Sequence, residues 1–246
     1  MTTKQTFIYG VRAVLEAIDA STTIQKIMID RKKNNPSIKQ VIYKAQQCHI
    51  PLQFLPSEKF ISFQQKNHQG VVAIISPIEF QSLENIIYAI YQQGKYPLIL
   101  ALDGITDVRN FGAIARTALS AGVHAIIIEE KGAASINDDA IKTSAGALLH
   151  IPICREKSLH HAIKELQSQG LKAIACTEKG DISIYKTPLQ QPVVIIMGSE
   201  EKGISPSILN IADYHSFIPI KGDIASLNVS VACGIILYEA VRQIES

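Results

Sequence analysis

From Leu98 onward, short apolar runs alternate with longer stretches whose apolar positions recur at helical spacing. The runs Leu98–Leu102, Ala125–Glu129, Ile151–Ile153, Lys172–Cys176, Val193–Met197 and Ser216–Ile218 predict strands. Phe111–Ala121, Asp138–Ala147, Leu159–Gln169, Pro206–Ala212 and Asn228–Gln243 predict the helices between them. Apolar strands separated by helices imply a doubly wound α/β architecture, with a parallel sheet covered on both faces. Upstream, Ile8–Ile18 and Ser37–Cys48 have helical spacing, while IQKIMID, PLQFLP and NHQGVVAII are strand-like, which predicts a small α/β unit over residues 1–76. Residues 77–95, beginning at Pro77 and containing the amphipathic stretch Leu83–Tyr91, are expected to form a connecting helix or linker to a domain spanning 96–246.

A chain of 246 residues, 47% of them hydrophobic, is sized for one or two domains. No apolar run reaches the roughly 18 residues of a membrane span, and MTTKQTF lacks the basic-then-apolar order of a signal peptide, so a cytoplasmic location is expected. Cys48, Cys154, Cys176 and Cys233 are isolated from one another, without CxxC pairs or histidines at ligand spacing. They predict reduced, mostly buried thiols and no metal site. Charge is uneven. Residues 1–76 carry 10 Lys and Arg against 4 Asp and Glu, or +6, whereas the remainder carries 14 against 18, or −4. The basic end suits a polyanion or is a solvated surface, and charge alone leaves both open. Among 14 glycines no two lie two positions apart, so the dinucleotide fingerprint GxGxxG is absent, as is a phosphate-binding GxxxxGK loop.

Three stretches place polar groups at strand-to-helix junctions, where α/β sheets put their ligands: LDGITDVRNFGAIARTA (102–118), IIMGSEEKGI (195–204) and IPIKGDIASLNVSVACGIILYE (218–239). In the first, Asn110 taken alone is a helix N-cap, while Arg116 interrupts a run of small apolar residues and calls for a carboxylate or phosphate partner. In the second, Gly198 and Gly203 allow close approach of the backbone, and Glu200 is placed to bind a hydroxyl or pair with Arg116. In the third, Ser226 is a candidate cap for the last helix and Asn228 offers both a donor and an acceptor. That helix is apolar around most of its circumference, which predicts burial on two sides.

In this order and context the three stretches resemble the signature motifs of the SpoU/TrmH family of RNA ribose methyltransferases. The likeness is strong over Leu98–Arg242 and looser over IYGVRAVLEAI and NHQGVVAII, which are similar to the N-terminal domain of the rRNA enzymes. The resemblance implies a parallel sheet with a deep C-terminal trefoil knot, preceded by a small α/β RNA-binding domain that is ribosomal protein L30e-like. It implies S-adenosylmethionine as cofactor, held mainly by backbone at Met197, Gly198, Ser199, Ile218, Pro219, Ile220 and Leu227. Asn110, Arg116, Glu200, Ser226 and Asn228 become the catalytic set, with Arg116 gripping a phosphate because arginine is very hard to deprotonate. A homodimer through the knotted domain and last helix is implied, and rRNA contacts fall to Arg31, Lys32, Lys33, His68 and Gln69. The implied activity is 2′-O-methylation of a guanosine in large-subunit (23S) rRNA. The alternatives are a tRNA ribose methyltransferase, a non-catalytic RNA-binding assembly protein, and a generic α/β enzyme acting on small molecules. Two departures from the family pattern stand out: Glu201 occupies a position where many relatives have glycine, and Val108-Arg109 replaces a commoner proline-containing pair.

Overall fold

A computed structural model describes residues 6–224 and 226–245. Residues 1–5, Ser246 and Ala225, which falls in the third stretch (218–239), lie outside the described residues. The chain divides into two compact units, one running to Glu79 and including Ile136–Asp138, the other comprising Phe80–Ser135 and the chain from Asp139.

In the first unit, β1 (Phe7–Tyr9) leads into α1 (Val11–Asp19), β2 (Ile24–Asp30), α2 (Pro36–Gln47), β3 (Leu52–Leu55) and β4 (Val71–Ile75). The sheet order is β1-β4-β2-β3, with only the β2/β3 pair parallel. The helix expected from Ile8 begins later, because Phe7–Tyr9 pairs with β4 and Gly10, at φ 89°, turns the chain before Val11. Helix α2 starts as its sequence dictates: Asn35 accepts the Ile38 N–H at 2.9 Å and Pro36 occupies the first turn. Val14, Ile18, Ile38 and Val41 bury one face of the sheet, while Phe60, Met28, Val72 and Ile74 form a smaller core on the other.

The second unit contains α3 (Leu83–Gln92), β5 (Leu98–Asp103), α4 (Val108–Ser120), β6 (Ala125–Glu129), all but the first residue of α5 (Asp138–Thr143), β7 (Ile153–Glu156), α6 (Leu159–Ser168) and β8 (Lys172–Cys176). It continues through β9 (Ile182–Ser183), β10 (Val193–Gly198), α7 (Pro206–Leu209), β11 (Tyr214–Phe217) and α8 (Val229–Ile244). All seven strands are parallel, in the order β7-β6-β5-β10-β8-β11-β9. The expected parallel sheet is therefore present, and its central strands are apolar on both faces: Ile99, Ala101, Val194 and Ile196 are fully buried on one side, Leu100 and Ile195 on the other. The stretch expected as a linker contains α3, whose Leu83, Ile87 and Ile90 pack into the same core as Ile99 and Ile127. Strand β10 inserts between β5 and β8, so the chain ends of these three strands, and the loops that follow, share one edge of the sheet.

Candidate active site

Two cavities flank the loop that follows β10. The first, a cleft of about 300 Å³, is walled by Met197–Ile204 from β10 and its loop, by Cys176–Lys179 after β8, and by Ile218, Ile220, Ser226, Leu227 and the first turns of α8. The second, a recess of about 510 Å³, has Ser199–Gly203 and Val229 in common with the first and adds Asp103–Asp107, Asn110 and Ser205. Local sequence explains the narrow seam between them. A Cβ on Gly198 would stand 2.1 Å from the Gly203 carbonyl carbon and 2.3 Å from the Ile204 nitrogen, so only glycine lets the loop close on its own strand. The loop is fixed further by Ser199, whose Oγ accepts the Lys202 N–H, and by Asp103, which accepts the Ser205 N–H.

Groups from the three expected motifs meet at this seam. Glu200 Oε1 accepts from Asn228 Nδ2 at 2.7 Å, from the Val229 N–H at 3.1 Å and from Asn110 Nδ2 at 3.3 Å. Asn228 Nδ2 also donates to Asn110 Oδ1 at 3.0 Å, closing a triangle of side chains that are 118 residues apart at their widest. A carboxylate receiving a backbone N–H at the start of a 16-residue helix is favoured by the helix dipole as well as by the bonds themselves. Oε2 accepts no bond among the described residues.

The caps differ from expectation. Asp107, not Asn110, starts α4, its Oδ1 taking the Asn110 N–H at 2.7 Å, so the Asn110 amide is free to join Glu200. At α8 the cap is Asn228, which accepts from the Ser230 and Val231 N–H groups, and Ser226 instead lines the cleft. Of the expected cofactor residues, Met197, Gly198, Ser199, Ile218, Ile220 and Leu227 line the cleft, whereas Pro219 is exposed and does not. Arg116 stands exposed on α4, lines neither cavity, and makes no ion pair among the described residues. The pairing of Arg116 with Glu200 is therefore not made within one chain.

Thr177, Glu178 and Lys179 belong to no expected motif, because only the adjacency of β8 to β10 brings that loop to the cleft. Cys176 sits on the same wall. Burial pushes its thiol pKa up and pushes that of Cys233 up to about 12, so both are neutral, unreactive thiols near pH 7. Cys48 alone of the four is exposed.

In the first unit, Lys33, His68 and Gln69 line an open recess with Lys66, Asn35 and Asn67. Gln69 holds its place through Oε1, which accepts the Val11 N–H, and His68 stacks on Phe60 with ring centroids 5.2 Å apart. Arg31 and Lys32 lie outside that recess: Arg31 Nε donates to the Phe54 carbonyl and Lys32 pairs with Glu58 at 3.6 Å.

Comparison with known proteins adds an independent line. Residues 97–238 match the model of the SpoU rRNA Methylase family, and residues 7–81 match that of the RNA 2′-O ribose methyltransferase substrate binding domain. The chain is 33% identical to the 23S rRNA (guanosine-2′-O-)-methyltransferase RlmB of Pseudomonas aeruginosa, over 96% of each chain. It is 32% identical to a putative TrmH family tRNA/rRNA methyltransferase of Staphylococcus epidermidis, covering 96% of this chain and 95% of the relative. Among solved structures, an AdoMet-bound rRNA methyltransferase from Sinorhizobium meliloti superposes with a TM-score of 0.61 at 25% identity, covering 98% of this chain and 88% of that one.

Proposed function

Because the chain belongs to the SpoU methylase family of RNA 2′-O-methyltransferases, we propose that it methylates the ribose 2′-hydroxyl of a guanosine in large-subunit rRNA, using S-adenosylmethionine. The observation that carries this reading is the Glu200 triangle, which gathers one polar group from each of three distant loops at the seam between two cavities. The named activity of the Pseudomonas relative supports the choice of rRNA and of guanosine.

The cleft suits the cofactor by its chemistry. Met197, Ile218, Leu227 and Ile236 offer apolar surface to an adenine and to the methylenes of the methionine chain, while Glu178 offers negative charge to a sulfonium and an ammonium. When bound, S-adenosylmethionine supplies a methyl group made electrophilic by its sulfonium. Everything else falls to the protein. A ribose hydroxyl is a weak nucleophile near neutral pH, so the site must orient it and draw off its proton. Glu200 Oε2 is the atom we assign to accept the hydroxyl hydrogen, since Oε1 is saturated by Asn110, Asn228 and Val229. Those donors fix the carboxylate.

Arg116 belongs, in this reading, to the site of a second copy of the chain. It shares α4 with Leu119, 38% exposed, while α8, packed on α4, exposes Val231 and Tyr238 one heptad apart at 53% and 52%. An apolar strip of this kind on a buried helix suits a symmetric dimer, with the guanidinium at its rim gripping the phosphate next to the target ribose. The recess of Lys33, Lys66, His68 and Gln69 in the first unit is the proposed seat for rRNA outside the target nucleotide.

Incubation of the protein and S-adenosylmethionine with unmodified large-subunit rRNA and with tRNA in parallel tests the substrate. Methylation of one guanosine in the rRNA is expected. A product confined to tRNA would keep the chemistry and overturn the substrate.

A further inference from the structure

The function proposed above places the acceptor ribose at Glu200 Oε2, and Glu200 borders both the cofactor cleft and the recess on its other side. We infer that this recess receives the base of the acceptor nucleotide and that Glu201 reads it as guanine, an inference that rests on the function proposed above. The recess measures about 510 Å³, within the roughly 300–1,000 Å³ typical of small-ligand sites and ample for one purine nucleoside. It shares the loop Ser199–Gly203 with the cofactor cleft, so a base seated there keeps its ribose beside the Glu200 triangle.

The lining separates Glu201 from its neighbours. Four carboxylates face the recess, and three are engaged by the fold: Asp103 accepts the Ser205 N–H, Asp107 the Asn110 N–H, and Glu200 the triangle. Glu201 is exposed and makes no hydrogen bond or ion pair among the described residues. Its carboxylate presents two acceptors side by side. The Watson–Crick edge of guanine presents two donors side by side, N1–H and the N2 amine, and is the natural complement when a base is unstacked and read on that edge. Adenine turns an acceptor, N1, toward the same carboxylate, and uracil and cytosine each pair a single donor group with an adjoining acceptor. Enclosing the pair under the base lowers the local dielectric and sharpens the discrimination. Lys202, the one cation among the described lining residues, is available to the adjoining phosphate.

The test starts by mapping the acceptor position in wild-type product made on unmodified large-subunit rRNA. Transcripts carrying guanosine, inosine or adenosine at that position are then compared with wild type and Glu201→Gln. Wild type is expected to favour guanosine over inosine and adenosine by about 10- to 100-fold. Glu201→Gln is expected to slow on guanosine by about tenfold or more and to lose most of the preference over inosine. Its affinity for S-adenosylhomocysteine, measured by titration calorimetry, is expected to stay within about threefold. Full guanosine preference in Glu201→Gln would overturn the inference, as would an acceptor that is not guanosine. A loss of S-adenosylhomocysteine affinity beyond about tenfold would also overturn it, by assigning Glu201 to the cofactor instead. Absence of ribose methylation by wild type on any RNA would refute the parent reading itself, and is seen before any variant is made.

Discussion

Glu200 carries one charge and holds it through one oxygen. Three donors converge on Oε1, two of them side-chain amides whose own positions are set by the starts of α4 and α8. Bonds to a charged acceptor are worth about 1.5–3 kcal/mol each when buried, and less at an exposed seam, so their role here is mainly to aim the carboxylate. Glu200→Gln keeps the shape and removes the charge. Methyl transfer is expected to fall by about 100-fold or more, with S-adenosylhomocysteine binding within about threefold by calorimetry. Unchanged transfer would mean that Glu200 only braces the loop. At this scale the sequence was informative about residue type and silent about pairing. Asn110, Glu200 and Asn228 are legible as polar residues at loop mouths, yet both Asn110 and Ser226 pass for helix caps until Asp107 and Asn228 are seen to do that work. Arg116 was legible as an arginine in want of a partner, and the described residues of a single chain do not supply a side-chain one.

Strands and helices of the second unit were legible where the period was clean: Ala125–Glu129 and Lys172–Cys176 form with the expected bounds. The two-residue β9 was not, since it is shorter than any pattern can register. Nor was the insertion of β10 between β5 and β8, because apolar parallel strands are interchangeable by composition and their order is settled by the connections. That order is what carries Thr177–Lys179 to the cleft. A titratable group just before β6 bonds to the start of β5. His124 Nδ1 accepts the Leu98 N–H at 3.1 Å, and burial holds the ring below the usual imidazole pKa. With the folded value below the unfolded one, the unfolded chain binds the extra proton first, so this contribution to stability is intact above about pH 6.5 and declines as pH falls toward the folded pKa. Urea unfolding at pH 7.5 and 5.5 is expected to show a larger acid loss for wild type than for His124→Asn. Equal losses would remove His124 from the balance.

For the whole molecule, the proposed reading gives the basic first unit the holding of RNA, the polar seam the reaction and the apolar strip on α8 the pairing of copies. Charge asymmetry between the two units was legible at once by counting, whereas the recess of Lys33, Lys66 and His68 emerges only when the β2–α2 loop and the loop before β4 fold side by side. Assigning Arg116 to a neighbouring copy has a direct consequence. Arg116→Ala and Glu200→Gln are each expected to be inactive alone, yet after subunit exchange a mixture regains roughly a quarter of wild-type activity, because half the dimers are mixed and each of those holds one intact site. No recovery would return Arg116 to the site of its own chain. The position of the transferred methyl group is the most direct test of all. After reaction with methyl-labelled S-adenosylmethionine and unmodified rRNA, alkaline hydrolysis is expected to leave the label in an alkali-stable dinucleotide, since a 2′-O-methyl ribose cannot assist cleavage of its own phosphodiester. Label released in mononucleotides would place the methyl on a base and contradict ribose methylation.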